Sequence, residues 1–72
     1  MNLTGHITID IAEGARGRFI RATWLNGVLP MHADLTGPAS VMAVRRLAAE
    51  IGAGVNVTDA AEAAMKEEGW RA

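Results

Sequence analysis

The chain has 72 residues, no cysteine and a formal net charge of −1. This length predicts one small domain over residues 1–72, and the lack of cysteine excludes disulfides and thiolate metal sites. A nearly neutral charge gives no general attraction to nucleic acid or anionic membranes, and no apolar run approaches the roughly 18–20 residues that span a bilayer. Because no basic segment followed by an apolar core opens the chain, we expect a cytoplasmic location.

An alternating pattern marks the first predicted strand, from Leu3 to Ala12. The odd positions, including Ile7, Ile9 and Ile11, are apolar and most positions between them are polar, as in a half-buried strand. β-branched residues dominate the segment, which favours the extended conformation. The glycines of Glu13–Gly17 predict a turn that closes a hairpin with the next strand.

The stretch Gly17–Met31 predicts two strands joined by a two-residue turn at Asn26-Gly27, because Asn-Gly between apolar runs is the strongest short-range hairpin signal. In that register Ala22 lies opposite Met31. Alternation predicts a core face made of Ile20, Ala22, Trp24, Leu29 and Met31. The other face then carries Phe19, Arg21, Thr23, Leu25 and Val28.

Pro30 makes Val28–Met31 an edge strand, because proline has no N–H to donate to a neighbouring strand. The strand Gly17–Leu25 then lies in the middle of a three-stranded antiparallel meander. The first strand becomes an outer strand whose edge is open to further pairing. Residues His32–Gly37 are expected to leave the sheet.

Two helices follow the predicted sheet. The first has Pro38 in its first turn, runs to about Ile51 and ends at Gly52 or Gly54. Its apolar stripe consists of Val41, Val44, Leu47, Ala48 and Ile51. Residues Val55–Val57 are expected to form a short connector to the second helix.

Thr58 is the predicted N-cap of the second helix, which runs from Asp59 to about Glu68. Gly69 should end it in a Schellman motif, with Trp70 packed on Met65. The predicted fold is therefore α+β, a three-stranded antiparallel meander followed by two helices (β-β-β-α-α). We expect the first helix to pack on the core face of the sheet.

Few residues have the chemistry of catalytic or metal sites. A metal site around His6 or His32 would need further ligands at converging positions, and the sequence offers no such pattern. A cluster of Ser40, His32 and Asp34 can be drawn, but a serine in a first helical turn more usually caps the helix. We therefore predict no catalytic residue, no metal and no cofactor.

Nucleic-acid binding is the alternative that the arginines raise. Arginine beside an aromatic residue on an open sheet face can hold single-stranded bases. The candidate arginines are Arg18, Arg21, Arg45 and Arg46. Asp10 shares that face, however, and phosphate binding favours an excess of positive charge. The second helix carries four acidic residues against one lysine, which argues against a recognition helix.

The remaining surfaces favour a small non-catalytic protein-interaction module. Phe19 and Leu25 are apolar on the open sheet face, and the acidic second helix suits a basic partner. The predicted partner-binding residues are Phe19, Arg21, Thr23, Leu25, Glu62 and Glu67. The expected partner is another protein, with a homodimer as a further hypothesis. The small size and composition also suit a phage or mobile-element protein that blocks a host protein.

Overall fold

The computed structural model describes residues 6–70, which form four strands and two helices in the order β-β-β-α-β-α. The strands are β1 (His6–Gly14), β2 (Gly17–Asn26), β3 (Leu29–Leu35) and β4 (Gly54–Val57). The helices are α1 (Pro38–Ile51) and α2 (Asp59–Glu67). The predicted α+β class is confirmed. The start of the first predicted strand, Leu3–Gly5, lies outside the described residues.

The sheet is mixed, with the strand order β3-β2-β1-β4. β2 pairs antiparallel with both β1 and β3, whereas β4 pairs in parallel with β1. The three predicted strands form an antiparallel meander with β2 in the middle, as expected. The prediction that the sheet has three strands with β1 on the outside is wrong, because β4 pairs with the other edge of β1. The expected connector forms β4 because Val55 and Val57 alternate with Asn56 and pack against the core.

The β2–β3 turn is Gly27-Val28, one residue later than the predicted Asn26-Gly27. Asn26 pairs with Leu29 instead of lying in the turn. Gly27 has a φ of 67° at the first turn position, where glycine adopts positive φ without a steric penalty. The pairing shifts by two residues, so every paired side chain keeps its predicted face. Val28 becomes a turn residue.

The shifted turn leaves β3 longer than predicted. Residues His32–Leu35 continue the strand, so the expectation that they leave the sheet is wrong. The side chains of Met31, Ala33 and Leu35 all point towards the core. This period of two is typical of a strand with one buried face.

Both helices pack on one face of the sheet and share a single core with it. The buried residues are Ile7, Ile9, Ile20, Ala22, Leu35, Val41, Val44, Ala48 and Ala61. Leu29 has the predicted facing but stays exposed, because it adjoins the turn at the end of the sheet. Within residues 6–70, no helix is long and apolar enough to cross a membrane.

The ends of α2 follow the predicted caps. The hydroxyl of Thr58 accepts a hydrogen bond from the N–H of Ala61 at 3.2 Å. At the other end Gly69 has a φ of 78°, and the N–H of Trp70 donates to the carbonyl of Met65 at 2.9 Å. That bond defines a Schellman ending, so the predicted ending of α2 at Gly69 is confirmed. Between these caps α2 packs against β1, on the same side of the sheet as α1.

Candidate functional site

The open face is the side of the sheet opposite the two helices. It carries the side chains that alternate with the core positions along each strand. Its members are His6, Thr8, Asp10, Ala12, Phe19, Arg21, Thr23, Leu25, Pro30, His32, Asp34 and Asn56. None of them belongs to the buried core. Four predicted partner-binding residues, those of β2, therefore lie together on this face.

The register arranges the open face in rows that cross the strands. Arg21 lies between Asp10 on β1 and Asp34 on β3, in a row of charged side chains. The rows towards the two ends of β2 are more apolar, and they contain Phe19 at one end and Leu25 at the other. The face therefore has a polar centre between two apolar margins.

Arg21 is fixed by two neighbours on the open face. Its Nε donates to Oδ1 of Asp34 at 2.8 Å, forming a partly exposed ion pair. Its guanidinium carbon lies 4.9 Å from the centre of the Phe19 ring. Such surface pairs contribute about 0.2–1 kcal/mol, and an exposed cation–π contact about 0.5–1 kcal/mol. These contacts hold the centre of the face in one arrangement.

Asp10 connects the open face to the start of α2. Its Oδ1 accepts hydrogen bonds from the hydroxyl of Thr58 at 2.8 Å and from the N–H of Ile11 at 2.7 Å. Thr58 is also the N-cap of α2. The carboxylate opposite Arg21 is thus held by β1 itself and by the segment that follows β4.

Two glycines provide the space in which the aromatic rings of the open face lie. A Cβ atom on Gly14 would be 3.0 Å from Cε1 of Phe19, and one on Gly54 would be 3.0 Å from Cδ2 of His6. Each ring therefore lies close to a neighbouring glycine; Phe19 is half-buried, whereas His6 remains exposed. The local sequence pattern indicates a turn residue at Gly14 and a helix stop at Gly54, because the register that places each glycine beside a ring involves distant residues.

The apolar tip consists of Leu25, Val28, Leu29 and Pro30 at the β2–β3 turn. Leu25 is 66% exposed, Val28 97% and Leu29 59%. Clustered exposed apolar side chains of this kind often mark an interaction surface. The tip adjoins the open face through Leu25 and Pro30, which pair with each other across the hairpin.

The two acidic residues predicted to bind a partner lie elsewhere. Glu62 and Glu67 are exposed on α2, on the helix-bearing side of the sheet. Glu62 and Arg45 line a groove of about 450 Å³ beside Trp70. Glu62 also belongs to the first turn of α2, where the helix dipole favours an acidic residue. Glu67 lines a depression together with Phe19 near the start of β2, whereas Glu62 lies in the groove on the helix-bearing side.

The four candidate arginines for nucleic-acid binding are divided between the two sides of the domain. Arg21 lies on the open face and is paired with Asp34. The side chain of Arg18 lies on the helix-bearing side of the sheet. It lines a shallow depression together with the acidic residues Glu67 and Glu68. The remaining two, Arg45 and Arg46, are exposed on α1. These positions give no single basic surface.

Ser40, His32 and Asp34 do not combine into a catalytic arrangement. The Ser40 hydroxyl donates to the carbonyl of Gly37 at 2.7 Å and accepts from the N–H of Gly37 at 3.1 Å. It therefore caps α1, whereas Asp34 pairs with Arg21. Within residues 6–70, no group of three histidine, aspartate or glutamate side chains is placed to hold a metal ion.

Comparison with protein-family models, characterised proteins and solved structures found no match to this chain.

Proposed function

We propose that the chain is a small non-catalytic module that binds another protein through the open face. The observation that carries the proposal is that both helices pack on one side of the sheet, while no other described element covers the opposite side, where Leu25 at one margin is exposed. Interfaces between proteins that also exist separately are about as apolar as the rest of the protein surface, so the charged row of this face is compatible with the proposal. A binder of this kind acts by covering part of its partner's surface.

The internal contacts of the open face support this use. The Arg21–Asp34 pair and the Asp10–Thr58 hydrogen bond hold four polar side chains in place before a partner binds. Fixing side chains in advance lowers the conformational entropy that association costs. Leu25 at the margin supplies exposed apolar surface, the component that most favours association.

In this proposal Glu62 and Glu67 bind a second surface of the partner, and that surface is basic. They lie on the opposite side of the domain from Thr23 and Leu25, so a partner would have to wrap around the sheet to touch both. The open face is therefore the primary surface, and the acidic residues of α2 are secondary.

The test compares Leu25→Asp with Met42→Asp. Both positions carry exposed large apolar side chains, but Leu25 lies on the open face and Met42 on α1. Tagged variants are expressed in the cells that make the protein, and captured proteins are quantified by mass spectrometry. We expect Leu25→Asp to lose the partner and Met42→Asp to retain it, with both showing wild-type circular dichroism.

Direct contact is tested by a photoreactive residue at Thr23, with Ala43 on the exposed side of α1 as the control position. The partner should cross-link from position 23 and not from position 43. A partner that cross-links only from position 43, or that both aspartate variants capture equally, would show that the open face is not the binding surface.

A further inference from the structure

β3 has the longer of the two unpaired strand edges in the described part of the sheet. It contains seven residues, whereas β4, the other edge strand, contains four. The outer edge of a strand presents main-chain N–H and C=O groups that can pair with another strand. The register determines which groups of β3 point outward.

In a two-residue hairpin, the pair next to the turn exchanges both main-chain hydrogen bonds, and bonded pairs then alternate with non-bonded pairs. Asn26 and Leu29 form that first pair here. Every second residue of β3 from Leu29 onward therefore points its N–H and C=O towards β2. The residues whose main-chain groups point away from the sheet are Pro30, His32 and Asp34.

An observed hydrogen bond agrees with this alternation. In the β1–β2 hairpin the pair next to the turn is Gly14–Gly17, so the main-chain groups of Ile9 should point towards β4. The carbonyl of Ile9 does accept a hydrogen bond from the N–H of Thr58, at 3.0 Å, on that side. The same rule can thus be applied to the outer edge of β3.

We propose that two copies of the chain associate edge to edge through β3, around a two-fold axis that passes through Ala33. The two sheets then form one continuous antiparallel sheet. In this register His32 of each copy lies opposite Asp34 of the other, and each such pair exchanges both main-chain hydrogen bonds. This inference concerns the main-chain edge of β3, which borders the open face, and it does not depend on the proposed partner.

The side chains select the axis at Ala33 over the other registers. An axis at Asp34 would set two carboxylates directly opposite each other, which is destabilising. An axis at His32 or Met31 would place Pro30, which has no N–H, in a bonded pair. An axis at Ala33 keeps the two carboxylates apart. It places Pro30 opposite Thr36, which lies beyond the end of β3 and donates its N–H to Ser40, so no hydrogen bond between the copies is lost there. It also places the Asp34 carboxylate beside an imidazole that can donate to it.

The same register also covers apolar surface on the helix-bearing side. Met31 of each copy lies opposite Leu35 of the other. Met31 is half-buried in the single chain, so its side chain loses contact with water in the dimer. Because the strand is short, we expect a weak dimer, and the fraction of chains that associate should rise with protein concentration.

The absence of cysteine allows a direct cross-linking test. Ala33→Cys places two thiols in a non-bonded pair across the axis, where Cα atoms lie about 4.5 Å apart, within the range that a disulfide spans. Ala43→Cys, on the exposed side of α1, is the matched control. Under mild oxidation only Ala33→Cys should give a linked dimer. Equal linking by both variants, or none by Ala33→Cys, would overturn the proposal.

Sedimentation across a concentration series tests the main-chain contacts separately. His32→Pro removes an outward N–H while leaving the bonds between β3 and β2 intact, and His32→Ala is the control that keeps that N–H. Wild type and His32→Ala should associate at high concentration, whereas His32→Pro should stay monomeric with a folded circular dichroism spectrum. A wild-type chain that is monomeric throughout, or a proline variant that associates normally, would contradict the proposal. If His32→Pro fails to fold, the cysteine pair decides.

Discussion

The centre of the core should be far more sensitive to a small truncation than its margin, and Ile9→Val tests this. Ile9 is 0% exposed on the interior strand β1, whereas Ile51 is 46% exposed at the end of α1. Removing one buried CH₂ costs about 0.8 kcal/mol in transfer free energy, and Ile→Val in cores typically costs about 0.5–1.5 kcal/mol. At Ile51 about half the transfer free energy, roughly 0.4 kcal/mol, is lost, and no enclosed cavity forms.

The loss at Ile9 is large relative to the whole domain, because a chain of this size has about 3–5 kcal/mol of net stability. With a urea dependence of about 1 kcal/mol/M, the unfolding midpoint should fall by about 1 M for Ile9→Val and by less than half of that for Ile51→Val. Tryptophan fluorescence and circular dichroism measure both transitions. Equal midpoint shifts in the two variants would refute the packing described for β1.

Two further predictions concern the polar contacts of the open face. A double-mutant cycle with Arg21→Ala and Asp34→Ala should give a coupling free energy of about 0.2–1 kcal/mol that decreases as salt is added; zero coupling at low salt would mean that the ion pair does not order the face. Thr58→Ala should lower the unfolding free energy by about 1 kcal/mol, because it removes the N-cap of α2 and the hydroxyl bound to Asp10. Thr58→Ser keeps the hydroxyl and should retain most of that free energy. An equal loss in both variants would assign the effect to the methyl group.

The elements whose signals are local could be predicted from the sequence. Thr58 and Gly69 bound α2 because capping depends on one or two residues and their immediate neighbours. The odd positions of β1 reach the core because alternation is a property of the strand itself. The four β2 residues of the open face share a side for the same reason, and the two-residue change in pairing left that side unchanged.

The features that depend on distant partners could not be predicted. β4 is four residues long, and its parallel pairing with β1 becomes possible only after α1 crosses the sheet. Short extended segments carry little periodicity, so Val55–Val57 was interpreted as a connector. The Arg21–Asp34 pair follows from the register that the Gly27-Val28 turn sets. That turn lies one residue after the Asn-Gly signal, so the sequence alone does not predict the pair. Local patterns therefore define the faces, and long-range pairing defines which residues meet on them.

The two proposals are linked by the position of His32 and Asp34. Both side chains lie on the open face, and the main-chain groups of both point outward at the edge of β3. A two-fold axis perpendicular to the sheet keeps the helices of both copies on one side, so the two open faces become one wider surface. Arg21 of each copy would then lie near the join, because it is paired with Asp34. A partner large enough to cross the join would bind the dimer more tightly than the single chain, since both copies would contribute contacts without a second association step.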